Sequence, residues 1–79
     1  MEESEIREKV KKVFSDVFSI QDLDFRKKQD DFENWDSLAH MQLVNGIESE
    51  FGLQFEMEEI VDIQTPEGFV SLVKKKILK

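Results

Sequence analysis

Apolar residues recur at three- and four-residue steps in three segments of this chain, and this spacing restricts the fold more than any other feature. Such spacing gathers apolar side chains on one face of a helix and leaves the other face to water. The stripes consist of Ile6, Val10, Val13, Phe14, Val17 and Phe18, then Leu38, Met41, Leu43, Val44, Ile47 and Phe51, and finally Phe69, Leu72, Val73 and Ile77. We therefore predict an all-α fold.

Residues with capping and breaking tendencies predict where these helices begin and end. Ser4 is a candidate N-cap for the first helix, and Gly52 is a stop for a second helix from about Ser37 to Phe51. Thr65-Pro66 is typical of an N-cap followed by proline at the first helical position. A glycine within the second helix, Gly46, indicates either close packing or a tolerated weak point.

The stretches between the three helices are less regular. Residues 19–35 lack sustained periodicity, and we expect a long loop pinned to the core by Leu23, Phe25 and Phe32. A short helical turn is predicted from Glu58 to Asp62, and residues 53–55 are a candidate short strand. The expected architecture is a single domain over residues 1–79. It is a four-helix bundle of three longer helices and one short helix, with a long loop between the first and second helices.

Charge is unevenly distributed along the chain. Residues 29–73 carry eleven acidic side chains and no lysine or arginine, within a net charge of −7. Such a segment repels nucleic acid phosphates and attracts basic protein surfaces, so we expect no nucleic acid partner. Lysines Lys74, Lys75, Lys76 and Lys79 follow at the end of the last predicted helix, where the helix dipole favours cations.

Composition also bears on compartment and on metals. The chain has no cysteine and no apolar run near the roughly 20 residues that span a membrane, so a cytoplasmic protein without stable membrane insertion is expected. An EF-hand register from Asp22 would place Arg26 and Lys27 where an oxygen ligand and a glycine are required. With one histidine and no cysteine, zinc is also disfavoured, and we predict no metal site.

The segment Trp35-Asp36-Ser37-Leu38 opens the second predicted helix. Whether Asp36 or Ser37 is the N-cap, the serine hydroxyl lies at the positive end of the helix, where an attached anion is favoured. We interpret Ser37 as the attachment point of a phosphorylated arm. The sole histidine, His40, lies three residues later, and one helical turn does not assemble a catalytic triad. No enzymatic activity is predicted, and His40 is expected to be a surface or partner-facing residue.

Residues after this motif are candidates for contact with other proteins. Carboxylates such as Glu48 and Glu59 could meet basic patches on partner enzymes and speed association. Met41 and Ile60 could supply apolar contacts among them, although both residues also fit the core stripe. Solvated, solubilising side chains are the alternative interpretation of the same carboxylates.

Asp36-Ser37-Leu38, the later run from Ile47 to Gly52 and the turn Glu58-Glu59-Ile60 together resemble acyl carrier proteins. The resemblance implies that Ser37, flanked by Asp36 and Leu38, receives 4′-phosphopantetheine from coenzyme A through a phosphopantetheinyl transferase. It further implies that acyl groups are held as thioesters on the arm and shuttled among acyl-loading and acyl-processing enzymes with basic docking surfaces. A monomer is expected of such a carrier.

Several positions depart from the carriers of fatty acid synthesis, in which acidic residues follow the motif. Here Ala39, His40 and Gln42 follow it, and Ser49 and Met57 stand where carboxylates are common. These differences argue against service to the housekeeping enzymes of fatty acid synthesis, and they resemble stand-alone carriers of specialised pathways such as polyketide, lipid-modification or surface-glycan assembly. Two alternatives stay open: a peptidyl or aminoacyl carrier, and an unmodified acidic helical interaction module.

Overall fold

The computed structural model describes residues 2–77, and within that range it contains helices and no strand. Helix α1 spans Glu3–Phe18, α2 spans Ser37–Phe51, α3 is the single turn Met57–Ile60, and α4 spans Pro66–Ile77. A 3₁₀ turn at Gln29–Asp31 interrupts the long loop between α1 and α2. The predicted all-α class, with three longer helices and one short helix, is confirmed. Residue Lys79, predicted near the end of the last helix, lies outside the described residues.

Helix ends follow local capping chemistry, with two corrections. Helix α1 begins before the predicted Ser4 cap because the Glu2 carbonyl accepts hydrogen bonds from the backbone N–H groups of Glu5 and Ile6, both at 3.1 Å. Residues 53–55 form no strand. Helix α2 ends as predicted at Gly52, whose φ of 65° lies in the left-handed region that glycine adopts without strain.

The start of α4 also agrees with the sequence. The hydroxyl of Thr65 accepts a hydrogen bond from the backbone N–H of Gly68 at 3.0 Å, as an N-cap does. Proline at the first helical position has no N–H to leave unpaired. The short helix α3 lies slightly earlier than predicted, at Met57–Ile60 and not from Glu58 to Asp62.

The core lies where α1 packs against both α2 and α4. Its fully buried side chains come from all three of these helices. The largest of them are Phe14, Phe69, Leu43, Ile47, Val10, Val70 and Val73. Burial of these apolar stripes is the main favourable contribution to folding in a chain of this size.

Aromatic packing anchors the long loop to this core. The indole of Trp35, only 5% exposed, meets the ring of Phe14 edge-on at 5.4 Å and that of Phe32 at 5.1 Å between ring centroids. Backbone hydrogen bonds add to this, since the Glu67 N–H donates to the Phe25 carbonyl at 2.9 Å. The sequence identified Phe25 and Phe32 as loop anchors but missed Trp35.

Gly46 on α2 lies against Val13 on α1, so close packing explains this glycine. A Cβ added at Gly46 would lie 2.8 Å from Val13 Cγ1, closer than atoms normally approach. Val13 is buried and its β-branched side chain is stiff. We expect Gly46→Ala to lower the free energy of unfolding by about 1 kcal/mol, because an overpacking cost of about 1–3 kcal/mol exceeds the gain in helix propensity of about 1 kcal/mol.

Thermal unfolding checks this prediction, with Asn45→Ala as the matched control. Asn45 is exposed on the same helix, so its replacement should raise stability by about 0.5 kcal/mol through helix propensity alone. An increase in the melting temperature of Gly46→Ala would contradict the packing explanation.

Candidate functional site

The candidate site lies at the start of α2, where Asp36 caps the helix. The Asp36 side chain accepts a hydrogen bond from the Ala39 N–H at 2.8 Å, and its carbonyl accepts one from the His40 N–H at 2.9 Å. Asp36 has extended backbone angles, so it is the N-cap and Ser37 is the first helical residue. The sequence left open whether Asp36 or Ser37 caps α2, and the structure assigns the cap to Asp36.

Ser37 is exposed on the outer surface of this helix end. The first three backbone N–H groups of α2, those of Ser37, Leu38 and Ala39, have no intrahelical backbone acceptor, and the Asp36 side chain takes up that of Ala39. Those of Ser37 and Leu38 therefore lie beside the hydroxyl at the positive end of the dipole. This arrangement accommodates an esterified anion with a tether leading into solvent.

His40 does not act as a base toward Ser37, because both of its ring nitrogens are engaged elsewhere. Its Nδ1 accepts a hydrogen bond from the Trp35 Nε1–H at 3.0 Å, and its Nε2 lies 2.9 Å from the Ile60 carbonyl oxygen. The ring also stacks on the indole with 5.9 Å between centroids. His40, predicted as a surface or partner-facing residue, has a partly buried side chain whose ring nitrogens are bonded within the protein.

Four apolar side chains in the first half of α2 and in or directly after α3 are exposed, and we call them the apolar rim: Leu38, Met41, Met57 and Val61. They are 69%, 40%, 65% and 60% exposed respectively. Between α2 and α3 lies a groove of about 270 Å³ lined by Gln29, Ser37, His40, Met41, Met57, Ile60 and Val61. A hydroxyl at the edge of an apolar groove leaves room for a tether and an attached chain, so the residues present fit a covalent arm.

Ile60 was predicted as an apolar contact, yet its side chain is only 4% exposed. In this conformation it belongs to the core, because the backbone of α3 turns that side inward. Met57 and Val61, four residues apart and therefore on one side of the α3 turn, are exposed in its place. The sequence analysis gave neither Met57 nor Val61 a contact role. Their four-residue spacing was the signal for a shared face.

Two of the predicted docking carboxylates are engaged within the protein. Glu48 Oε2 accepts a hydrogen bond from the Phe55 N–H at 2.8 Å, which secures the segment after α2. Glu59 accepts one from the Glu56 N–H at 2.8 Å and pairs with Lys76 of α4 at 2.8 Å. The hydrogen bond from the Glu56 backbone and then that from Lys76 lower the pKa of Glu59, so it stays ionised at neutral pH.

Other acidic side chains near the groove are exposed, notably Glu58 on α3 and Asp62 just after it. Within residues 2–77, no group of three or more His, Cys, Asp or Glu side chains is arranged to hold a metal ion. In the same described range, no helix has the length and apolarity needed to cross a membrane.

Comparison with known proteins agrees with this geometry. The family model described as "Phosphopantetheine attachment site" matches residues 8–73. A curated acyl carrier protein from Petrotoga mobilis is 35% identical over 80 residues, which cover 98% of this chain and 93% of that relative. These findings imply a covalently attached 4′-phosphopantetheine and a carrier role without enzymatic activity. On this evidence the chain belongs to the acyl carrier protein family.

Proposed function

We propose that Ser37 is the residue to which 4′-phosphopantetheine is attached, and that the chain carries acyl groups of a specialised pathway on that arm. The observation that carries the proposal is an exposed serine hydroxyl at the first position of α2, next to the groove and backed by the Asp36 cap. Asp36 shapes the helix end, and Leu38 presents an apolar contact directly beside the serine.

Attachment requires another enzyme, because both ring nitrogens of His40, the one histidine in the sequence, are engaged elsewhere and do not activate the hydroxyl. In the transfer, a bond forms between Ser37 Oγ and the phosphorus of the pantetheine phosphate. The bond from that phosphorus to the adenosine half of coenzyme A breaks, and the serine proton passes to the transferase. Magnesium ions and the base belong to the transferase. When attached, the arm supplies a terminal thiol for thioester chemistry, and the protein supplies position and recognition.

Partner enzymes would meet the apolar rim surrounded by carboxylates. Leu38, Met41, Met57 and Val61 offer adaptable apolar contacts, and exposed Glu58 favours basic docking surfaces. Glu48 and Glu59 contribute to the negative field while they hold the segments around the groove.

The pathway is the finer part of the proposal. The first turn of α2 contains no acidic residue, whereas acidic residues follow the motif in carriers of fatty acid synthesis. We assign the chain to a specialised fatty acid, polyketide or related assembly system. We further propose a cytoplasmic monomer, since a carrier must visit several enzymes in turn and the chain lacks cysteine.

Intact mass spectrometry tests the proposed function. The purified chain is incubated with coenzyme A, Mg²⁺ and a broad-specificity phosphopantetheinyl transferase. We expect the mass to rise by one phosphopantetheine and no more. Absence of any gain with several transferases, each shown to be active on another carrier, would contradict the proposal.

A charge-reversal variant tests the docking part of the proposal. We expect Glu58→Lys to lower kcat/KM for arm transfer by about threefold, because it weakens the field that attracts a basic partner. Glu8→Lys is the matched control, since it makes the same change at an exposed position on α1. Added salt should reduce the difference in kcat/KM between the two variants, because it screens the charges. Equal losses in both would argue against a docking role for α3.

A further inference from the structure

His40 lies at a junction of three parts of the protein near Ser37. Its Nδ1 is 3.0 Å from the Trp35 indole nitrogen in the segment before α2, and its Nε2 is 2.9 Å from the Ile60 carbonyl at the end of α3. Its ring centroid also lies 5.8 Å from that of Phe69 on α4. Through one side chain, the start of α2 is linked to the preceding segment and to α3.

The chemistry of these partners determines where the histidine proton lies. An indole N–H can only donate a hydrogen bond and a backbone carbonyl can only accept one. Nδ1 of His40 must therefore be bare to accept from Trp35, and Nε2 must carry the proton that it donates to Ile60. Only the neutral imidazole in this tautomer satisfies both bonds.

A proton added at Nδ1 would make it a second hydrogen-bond donor facing the Trp35 N–H, with the two nitrogen atoms only 3.0 Å apart. The rigid ring must then move, and movement that separates Nδ1 from the indole also displaces Nε2 on the opposite side from the Ile60 carbonyl. Trp35 is buried, so its indole N–H would lose its partner where water does not readily replace it.

We propose that neutral His40 is a positioning residue that holds α3 and the Trp35 segment against the start of α2, and that its protonation loosens this link. The groove beside Ser37 then depends on pH, because Met57 and Val61 lie on the α3 segment that His40 holds. This inference rests on the proposed function in one respect, which is that the groove has a role in carrying an acyl arm.

Charged groups also lie on the elements next to His40. They are Asp36 on α2, whose carboxylate is committed to the Ala39 N–H, the Glu59–Lys76 pair that joins α3 to α4, and exposed Glu33 in the segment before Trp35. Between about pH 8 and about pH 5.5, histidine is the side chain that ordinarily changes charge.

NMR titration of the unmodified full chain tests the proposal, since the sequence has one histidine and one tryptophan. We expect the imidazole signals, the Trp35 indole N–H and the backbone amides of Ser37 and Val61 to shift with one common midpoint. Exchange of the indole N–H, corrected for its intrinsic pH dependence, should become about fivefold faster once His40 is protonated. An indole signal that stays unchanged while the imidazole titrates would overturn the proposal.

Two variants separate the two bonds of His40. His40→Gln can place an amide N–H near the position of Nε2. It should therefore hold α3, and the backbone amide signal of Val61 should no longer shift with pH. His40→Asn can place an acceptor near the position of Nδ1, so the indole signal should stay in place at every pH. A midpoint that persists in these histidine-free variants would show that another group causes the shifts and would overturn the proposal. Because the titration needs no arm on Ser37, its failure and a failure of arm attachment are separate results.

Discussion

Ser37→Ala is expected to abolish attachment of phosphopantetheine completely, while the fold is retained. The substitution removes the only oxygen proposed to bond to phosphorus. Asp36, and not Ser37, is the N-cap of α2, so no capping hydrogen bond is lost, and stability should change by less than about 0.5 kcal/mol. Intact mass after incubation with coenzyme A and transferase measures the first effect, and thermal unfolding measures the second.

Ser49→Ala provides the matched control for this experiment. Ser49 is an exposed serine on the same helix, so its replacement should leave the mass gain unchanged and raise stability by about 0.5 kcal/mol through helix propensity alone. Loading of Ser37→Ala at any appreciable rate would contradict attachment at Ser37. A large fall in its melting temperature would contradict the assignment of the cap to Asp36.

Trp35→Ala is expected to cause the largest loss of stability among single substitutions near the site. Removal of a buried aromatic side chain typically costs about 3–5 kcal/mol. In a domain of this size each kcal/mol lowers the melting temperature by about 4–8 °C. The indole packs on Phe14 and Phe32 and bonds to His40, so both the core and the link to α3 are affected. Calorimetry or chemical denaturation measures the loss.

Trp35→Phe separates packing from hydrogen bonding at this position. It keeps an aromatic ring against Phe14 but removes the indole N–H that donates to His40. We expect the free energy of unfolding to fall by about 1–2 kcal/mol. If Trp35→Ala lowered the free energy of unfolding by less than about 1 kcal/mol, this result would contradict the role of the indole as an anchor of the loop.

The helices could be predicted from sequence because their signals are local. The predicted bounds of α2 agree with the structure, since Asp36 and Gly52 act within one turn of the helix ends. The first helix was placed too late because its start depends on the Glu2 carbonyl, a backbone group that any residue supplies. Side-chain capping preferences therefore do not distinguish a helix that starts at Glu3 from one that is capped by Ser4.

The site was only partly predictable. Ser37 and Asp36 stood out because they belong to one short motif at a helix start. The bond from His40 to Ile60 joins residues twenty positions apart, and no periodicity reports such a contact. The inward orientation of Ile60 and the exposure of Met57 and Val61 depend on how α3 packs, which the Glu59–Lys76 pair helps to determine.

Attachment of the arm to the Ser37 hydroxyl is the central claim, and fragmentation of the loaded chain in a mass spectrometer tests it most directly. We predict that every fragment carrying the added phosphopantetheine contains Ser37, and that fragments on either side of this residue have unmodified masses. Modification located at Ser49 or at any other residue would contradict the claim.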